Sequence, residues 1–412
     1  MRILFLTGYI YESALPQFNR NKSGFGMMVN DIIRYVSNRK NETFLLTHVV
    51  TKDEYLDSAH ILKHTWKDVF LNASLLNITK GIRVALLYGN GLKLRLKYIY
   101  YYMNAGYVKK CINAIKPDIV HIHGIGYSTQ PFIDVCKEMD IPYVVTLHGL
   151  IGLNDEVKAT YQDKKLEQVF LKDSENENIP VTVISSGIKK RIIKNYGVNT
   201  VNHIYVIPNG TNISNKIDED INIREKYKIP STNKIAVCIG NLSDRKNQIQ
   251  IIKAYDKMSS SLKRNLTILF IGNDNLGGKL QKTVNELSYD NNIIFCGFVE
   301  KNFIASYISQ ADINIVASLD EGFGLSIIES FVQGVPTITF SDLDAVEDVY
   351  SDKAMKLVNE RSDEALAFGI EEALQIKWNR NWIQQYSNRF SLERMAEKYQ
   401  NCYSEVLEKR VK

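Results

Sequence analysis

Glu321 and Glu329 stand eight positions apart around Gly322-Phe323-Gly324, and the apolar residues from Leu325 to Val332 follow at helical spacing up to Gly334 and Pro336. The pattern predicts a helix that starts directly after the glycines, is capped by Gly334 and cannot continue past Pro336. Unpaired N–H groups of Phe323 to Ser326 then sit at the carboxyl end of the strand INIVAS, which is an anion site. Carboxylates would repel a bare phosphate there, but each accepts two hydroxyl hydrogen bonds. The combination therefore fits a diphosphate flanked by sugars. In a nucleotide sugar, Glu321 in the loop would hold the hexose and Glu329, one turn into the helix, the ribose.

Other constellations argue against other chemistries. Gly24 and Gly26 are followed by Val29 where a dinucleotide fingerprint needs its third glycine, so no nicotinamide cofactor is expected. His121 and His123 share one strand face with no third ligand in view, and are read as structural. The five cysteines are scattered without ligand spacing, which argues for a reducing compartment and against a disulfide or zinc framework. Asp342-Leu343-Asp344 and Asp218-Glu219-Asp220 are read as a loop and a linker charge run, and no metal is expected.

These side chains need a scaffold. Continuous apolar runs at Ile3 to Leu6, Ile119 to Ile122 and Tyr143 to Leu147 read as buried parallel strands alternating with helices. The rhythm restarts after residue 230 with Ile235 to Ile239, Leu266 to Ile271, Ile293 to Phe295, Ile313 to Ala317 and Thr337 to Phe340. At 412 residues and 45% hydrophobic composition the chain can bury two cores. The expectation is an α/β protein of two doubly wound Rossmann-like domains, 1–207 and 233–390, joined by a polar linker at 208–232. A last helix over about 391–412 packs on the second domain or back on the first. The N-terminal apolar run has no cleavage site and no stretch is apolar enough to span a bilayer, so a cytoplasmic location is expected.

EGFGLSIIESFVQGVP resembles the signature of retaining, family 4 glycosyltransferases of the GT-B fold, two such domains facing across a cleft. Ser23-Gly24-Phe25-Gly26, followed by a helix from about Met27, resembles the family's glycine-rich loop. PDIVHIHG, TLHG, VISSGIKKRI, VIPNGT, IGNLSDRKNQ and IIFCGFV then match in the family's order. The resemblance implies that Lys246 and Arg245, with the helix amides, stabilise the departing nucleoside diphosphate. It implies a donor- or acceptor-contacting histidine at His148, and donor contacts from Gly24, Phe25, Gly26, Asn241, Phe298, Val299, Gly322, Phe323, Gly324, Leu325, Ser326 and Glu329. The family commonly has an arginine at Asn241 and a Gly-Gly pair where this chain has Asp342 to Ala345. Transfer with retention, no cofactor and a donor base more often uracil than guanine belong to the same picture. Its rivals are a non-catalytic partner subunit of the same fold and a nucleotide-sugar epimerase.

From Val69 to Pro117 there is no acidic residue, while Lys80, Arg83, Lys93, Arg95, Lys97, Lys109, Lys110 and Lys116 are all basic and six tyrosines lie among them. The pattern is read as an anionic-membrane surface over 80–116, with a lipid-linked saccharide as acceptor in bacterial surface-polysaccharide assembly. No nucleic-acid recognition motif accompanies the charge.

Overall fold

The computed structural model describes residues 1–19, 24–48, 50–89, 91–153, 161–198, 202–212, 217–289 and 291–411, the side chains at 161, 162 and 411 excepted. The chain forms two compact units, Met1–Asn209 with Leu392–Lys412, and Gly210–Ser391.

The first unit carries β1 (Arg2–Thr7), β2 (Glu42–Leu46), β3 (Glu54–Leu56), β4 (Ala59–Ile61), β5 (Ile119–His123), β6 (Tyr143–Leu147), β7 (Val181–Val183) and β8 (Ile204–Val206). They form one sheet in the order β3-β4-β2-β1-β5-β6-β7-β8. All neighbours are parallel except β3, which runs antiparallel on β4. Ile3, Leu4, Phe5 and Leu6 are consecutive and fully buried, as a strand covered on both faces requires. Strand order reverses between β1 and β5. Their carboxyl ends, at Gly8 and Gly124, thus open into the crevice where such sheets take ligands.

The helix Gly24–Ser37 starts three residues earlier than the sequence pattern indicates, so Gly24, Phe25 and Gly26 form its first turn instead of a loop. The close approach of Gly26 to the segment after β1 explains the early start. A Cβ on Gly26 would lie 2.9 Å from the Tyr11 nitrogen, whose N–H donates to the Gly26 carbonyl at 3.2 Å. Ser23 lies outside the described residues.

The final helix, Leu392–Val411, belongs to the first unit and packs against Gly24–Ser37. Leu392, Met395, Ala396, Tyr399 and Tyr403 recur at helical spacing and are buried.

The second unit carries β9 (Lys234–Ile239), β10 (Leu266–Ile271), β11 (Ile293–Gly297), β12 (Ile313–Val316), β13 (Thr337–Phe340) and β14 (Met355–Val358), all parallel, in the order β11-β10-β9-β12-β13-β14. Its strand order reverses between β9 and β12. The stretch 208–232 is not the free linker its polarity indicates. Ile223, in the short helix Ile223–Lys226, and Ile229 are buried in the second unit's core with Val237, Leu269 and Tyr307. Each contributes about 1.5–3 kcal/mol by leaving water. Residues 213–216 lie outside the described part.

Candidate functional site

The second unit assembles its site where β9 and β12 end side by side. Past β9 the backbone turns at Gly240, φ 134°, and the Lys246 side chain lies over it: a Cβ at 240 would stand 3.0 Å from Lys246 Cε. The loop between them is pinned. Leu242 N–H donates to the Asn273 carbonyl (2.8 Å), Asn273 N–H to Asn241 Oδ1 (3.1 Å), and Gln248 Nε2 to the Asn241 carbonyl (3.2 Å). Asn241 therefore fastens two loops together.

Past β12, Leu319 N–H donates to the Arg245 carbonyl at 2.8 Å and so draws the two loops together. Lys246 Nζ donates to Glu321 Oε1, Ser318 Oγ donates to the same oxygen (3.3 Å), and Arg245 Nη1 reaches Glu321 Oε2 (3.4 Å) and the Asp320 carbonyl (2.9 Å). Glu321 is 8% exposed. Burial opposes its ionisation, but Lys246 and then Arg245, with the hydrogen bonds, outweigh that and hold the carboxyl below its ordinary value. In this cluster Lys246 and Arg245 both meet the Glu321 carboxylate.

An anion here would meet a helix end. Gly324, φ 73°, turns the chain into the helix Leu325–Val332, whose first N–H groups have no partner within the helix. Ser326 Oγ is buried without a hydrogen-bond partner. Glu329 is half-buried and no hydrogen bond from a described residue reaches its carboxylate. Burial pushes that carboxyl up, with Lys301 and Lys246 acting the other way. A hydroxyl-bearing ligand would satisfy it. Phe298, 48% exposed, and Val299 follow β11 at the same edge of the sheet. Asp342 is taken by Arg361, with bonds of 2.7 and 2.8 Å.

The first unit has a cavity of about 380 Å³ at its own switch point, lined by Gly8, Phe25, His123, Gly124, His148 and Glu167 among others. His148 follows β6 and lies edge-on to the Phe25 ring, centroids 5.0 Å apart. Burial lowers its pKa to about 4, so the imidazole is neutral at pH 7. His123 Nδ1 is 3.1 Å from His148 Nε2, while His123 Nε2 is buried and unpartnered. Burial first, then His121 and His148, keep His123 neutral as well. His121 is tied to Tyr403 (2.7 Å) and Thr146 (2.6 Å) and does not line the cavity. Glu167 accepts from the Ile151 and Gly152 N–H groups and from Tyr196 Oη.

Of the residues singled out from sequence, Arg245, Lys246, Glu321 and the Gly322–Ser326 turn are brought together with Glu329 on the following helix. Phe25 and His148 meet in the first unit. Gly26 serves packing, and Gly24 has open space around its Cα. Sequence reasoning passed over Ser318, Lys301 and Glu167, and it read His123 as structural although it lines the cavity beside His148. The even spacing of His121 and His123 cannot separate them, since only the partners differ.

Two doubly wound parallel-sheet units, one with a cation–carboxylate cluster beside a helix N-terminus, define a GT-B glycosyltransferase. The model of Glycosyltransferase Family 4 matches residues 23–215 and that of glycosyl transferases group 1 matches 219–390. Together the two models span most of the chain and support a family 4 glycosyltransferase. It is 22% identical over 314 residues to the uncharacterized glycosyltransferase MJ1607 of Methanocaldococcus jannaschii, covering 71% of this chain and 76% of that one. It is 25% identical over 222 residues to the O-antigen biosynthesis glycosyltransferase WclY of Escherichia coli, covering 50% of this chain and 60% of that relative. The chain thus spans less than two thirds of that second relative's length. The fold is shared with HepE of Anabaena in complex with UDP, at TM-score 0.68 and 16% identity over 98% of this chain and 100% of that one.

Proposed function

We propose that the chain is a retaining, metal-independent hexosyltransferase that moves a hexose from a nucleoside-diphosphate sugar, UDP before GDP, to a hydroxyl of a saccharide acceptor carried on a lipid. The observation that carries this reading is the Lys246–Glu321–Arg245 cluster at the β9/β12 switch point, next to the N-terminus of the helix Leu325–Val332. Catalysis of glycosyl transfer depends on stabilising charge as the diphosphate departs. Lys246, Arg245 and the helix end supply that positive charge from the protein itself. Held by two cations, Glu321 is a weak nucleophile and a good hydrogen-bond acceptor. That favours a front-face displacement, with Glu321 positioning the hexose while the acceptor hydroxyl attacks from the leaving-group side. Glu329 takes the ribose hydroxyls, and the neutral His148 and His123 in the first unit's cavity hold sugar hydroxyls. UDP is favoured because the similar HepE structure holds it, and a surface-polysaccharide acceptor because WclY acts in O-antigen assembly.

The test has two stages. UDP at a hundredfold excess over its dissociation constant is expected to stabilise the chain by about 2.7 kcal/mol in thermal unfolding, with GDP weaker. Lys246→Ala is expected to lower the transfer rate about 10²–10³-fold while the protein stays folded. Near-normal turnover in that variant would overturn the assignment of Lys246. Altered free nucleotide sugar released without acceptor would mark an epimerase instead.

A further inference from the structure

Three successive helices of the first unit turn a row of leucines to solvent, Trp66–Asn72 and Leu75–Tyr88 each packing on Leu92–Ile115. Leu71 is 83% exposed, Leu75 78% and Leu92 74%, and Leu86, Leu87 and Leu96 are more than half exposed. Trp66 and Phe70 extend the row at its start. This is the reverse of what the composition indicates. Tyr98, Tyr102 and Tyr107 turn inward, Tyr98 against Tyr127, so the tyrosines build the support and the leucines form the surface.

The middle helix shows how the two faces arise. Asn77, Gly81 and Ala85 are buried at i, i+4 and i+8, and a Cβ on Gly81 would stand 2.9 Å from Ile99 Cα. The missing side chain lets the two helices close up. Leu75, Ile82 and Leu86 then share one outward line, with Leu76, Arg83 and Leu87 on the next. Isolated exposed leucines need no explanation, but an apolar row along three adjacent helices marks an interaction surface.

Charge identifies the occupant. Lys67, Lys80, Arg83, Lys93, Arg95 and Lys97 are all exposed on these helices. The one carboxylate that the three helices themselves carry among the described residues, Asp68, is consumed in a capping box with Thr65, while Asp134 on a neighbouring helix lies close enough to Lys80 to feel its charge. We propose that this face docks the enzyme on an anionic lipid bilayer, with the leucines entering the interface and the cations meeting the headgroups. Among the described residues no single helix is long and apolar enough to cross a membrane, and Trp66–Asn72 and Leu75–Tyr88 meet at a 111° bend. By length and composition the bent pair would pass as a broken span, but the buried Asn77, Gly81 and Ala85 hold its second helix against the protein, so the proposal lays these helices on the bilayer surface. The proposal does not depend on the donor site, because docking is read without nucleotide.

The experiment is vesicle co-sedimentation of the full chain, with phosphatidylcholine vesicles alone or containing phosphatidylglycerol. Binding is expected only with phosphatidylglycerol and is expected to weaken with salt. Lys80→Gln/Arg83→Gln/Lys93→Gln should lower the partition constant about 100-fold. Leu75→Gln/Leu86→Gln/Leu87→Gln should abolish binding although the charge is intact. Both triple variants lie outside the donor site, and unchanged thermal stabilisation by UDP, or an unchanged melting temperature should UDP not bind, confirms that they are folded. Equal binding to neutral vesicles, no binding to either, or concentration-dependent dimerisation through the leucines without vesicle binding would each overturn the proposal.

Discussion

At the scale of single residues, the two glutamates of the opening motif have opposite electrostatic fates. Lys246 and Arg245 hold Glu321 below the ordinary value of 4.5, whereas burial raises Glu329 above it. For Glu321, whose folded pKa is depressed, the stabilising contribution is present above the unfolded value and disappears as pH falls through the folded one. Glu321→Gln should therefore be less stable than the parent at pH 7, by about 1.5–3 kcal/mol for hydrogen bonds to a charged partner, with the gap closing in acid. Glu329 has the reverse sign. Its ionised form is a cost at pH values above its raised pKa, and that cost vanishes below 4.5. Glu329→Gln is thus expected to melt higher than the parent at neutral pH, to match it near pH 4, and to bind UDP more weakly. Thermal scans at both pH values with and without UDP check all of this, and equal stability at neutral pH would refute the reading of Glu329.

At the scale of elements, the same helix is bounded by two left-handed glycines with different surroundings. Gly334, φ 68°, ends it with its N–H on the Phe331 carbonyl and the Val335 N–H on the Ser330 carbonyl, both 2.9 Å, and a Cβ there would lie 2.6 Å from the Arg380 carbonyl oxygen. At Gly324, φ 73°, a Cβ would meet the end of the Ile327 side chain at 2.8 Å, which can move. Gly334→Ala should therefore cost about 3 kcal/mol in chemical denaturation, left-handed strain plus a backbone clash, with donor KM unchanged. Gly324→Ala should cost about 1–2 kcal/mol but raise donor KM, because it displaces the amides that face the diphosphate. This helix was fully readable from sequence, since apolar period, glycine and proline all give the same bounds. Elements whose limits depend on contacts were not. Gly26 starts its helix early because of Tyr11, Ile223 and Ile229 join a core despite a polar setting, and Leu92–Ile115 has apolar residues on every side, so only its packing tells which face is covered.

At the scale of the molecule, the chain leaves its first unit after Asn209 and returns to it at Leu392. The returning helix covers the sheet. Tyr399 and Tyr403 are fully buried, and Tyr403 Oη meets His121 Nδ1 at 2.7 Å, beneath the pair of histidines that reaches the cavity. Leu392, Met395, Tyr399 and Tyr403 together bury four large side chains, roughly 6–12 kcal/mol at the usual value per residue. That is comparable to the whole stability of an ordinary domain, about 5–15 kcal/mol. A chain ending at residue 391 should therefore lose the hydrogen-exchange protection of β5 and β6 while β9, β10 and β12 keep theirs. Tyr403→Phe isolates the polar part of the contact. It preserves the packing but leaves a buried imidazole nitrogen unsatisfied, at a cost of about 1–3 kcal/mol. Uniform protection across both sheets in the truncated chain would mean that the last helix only decorates the first unit and that its tyrosines contribute little to holding His121 in place.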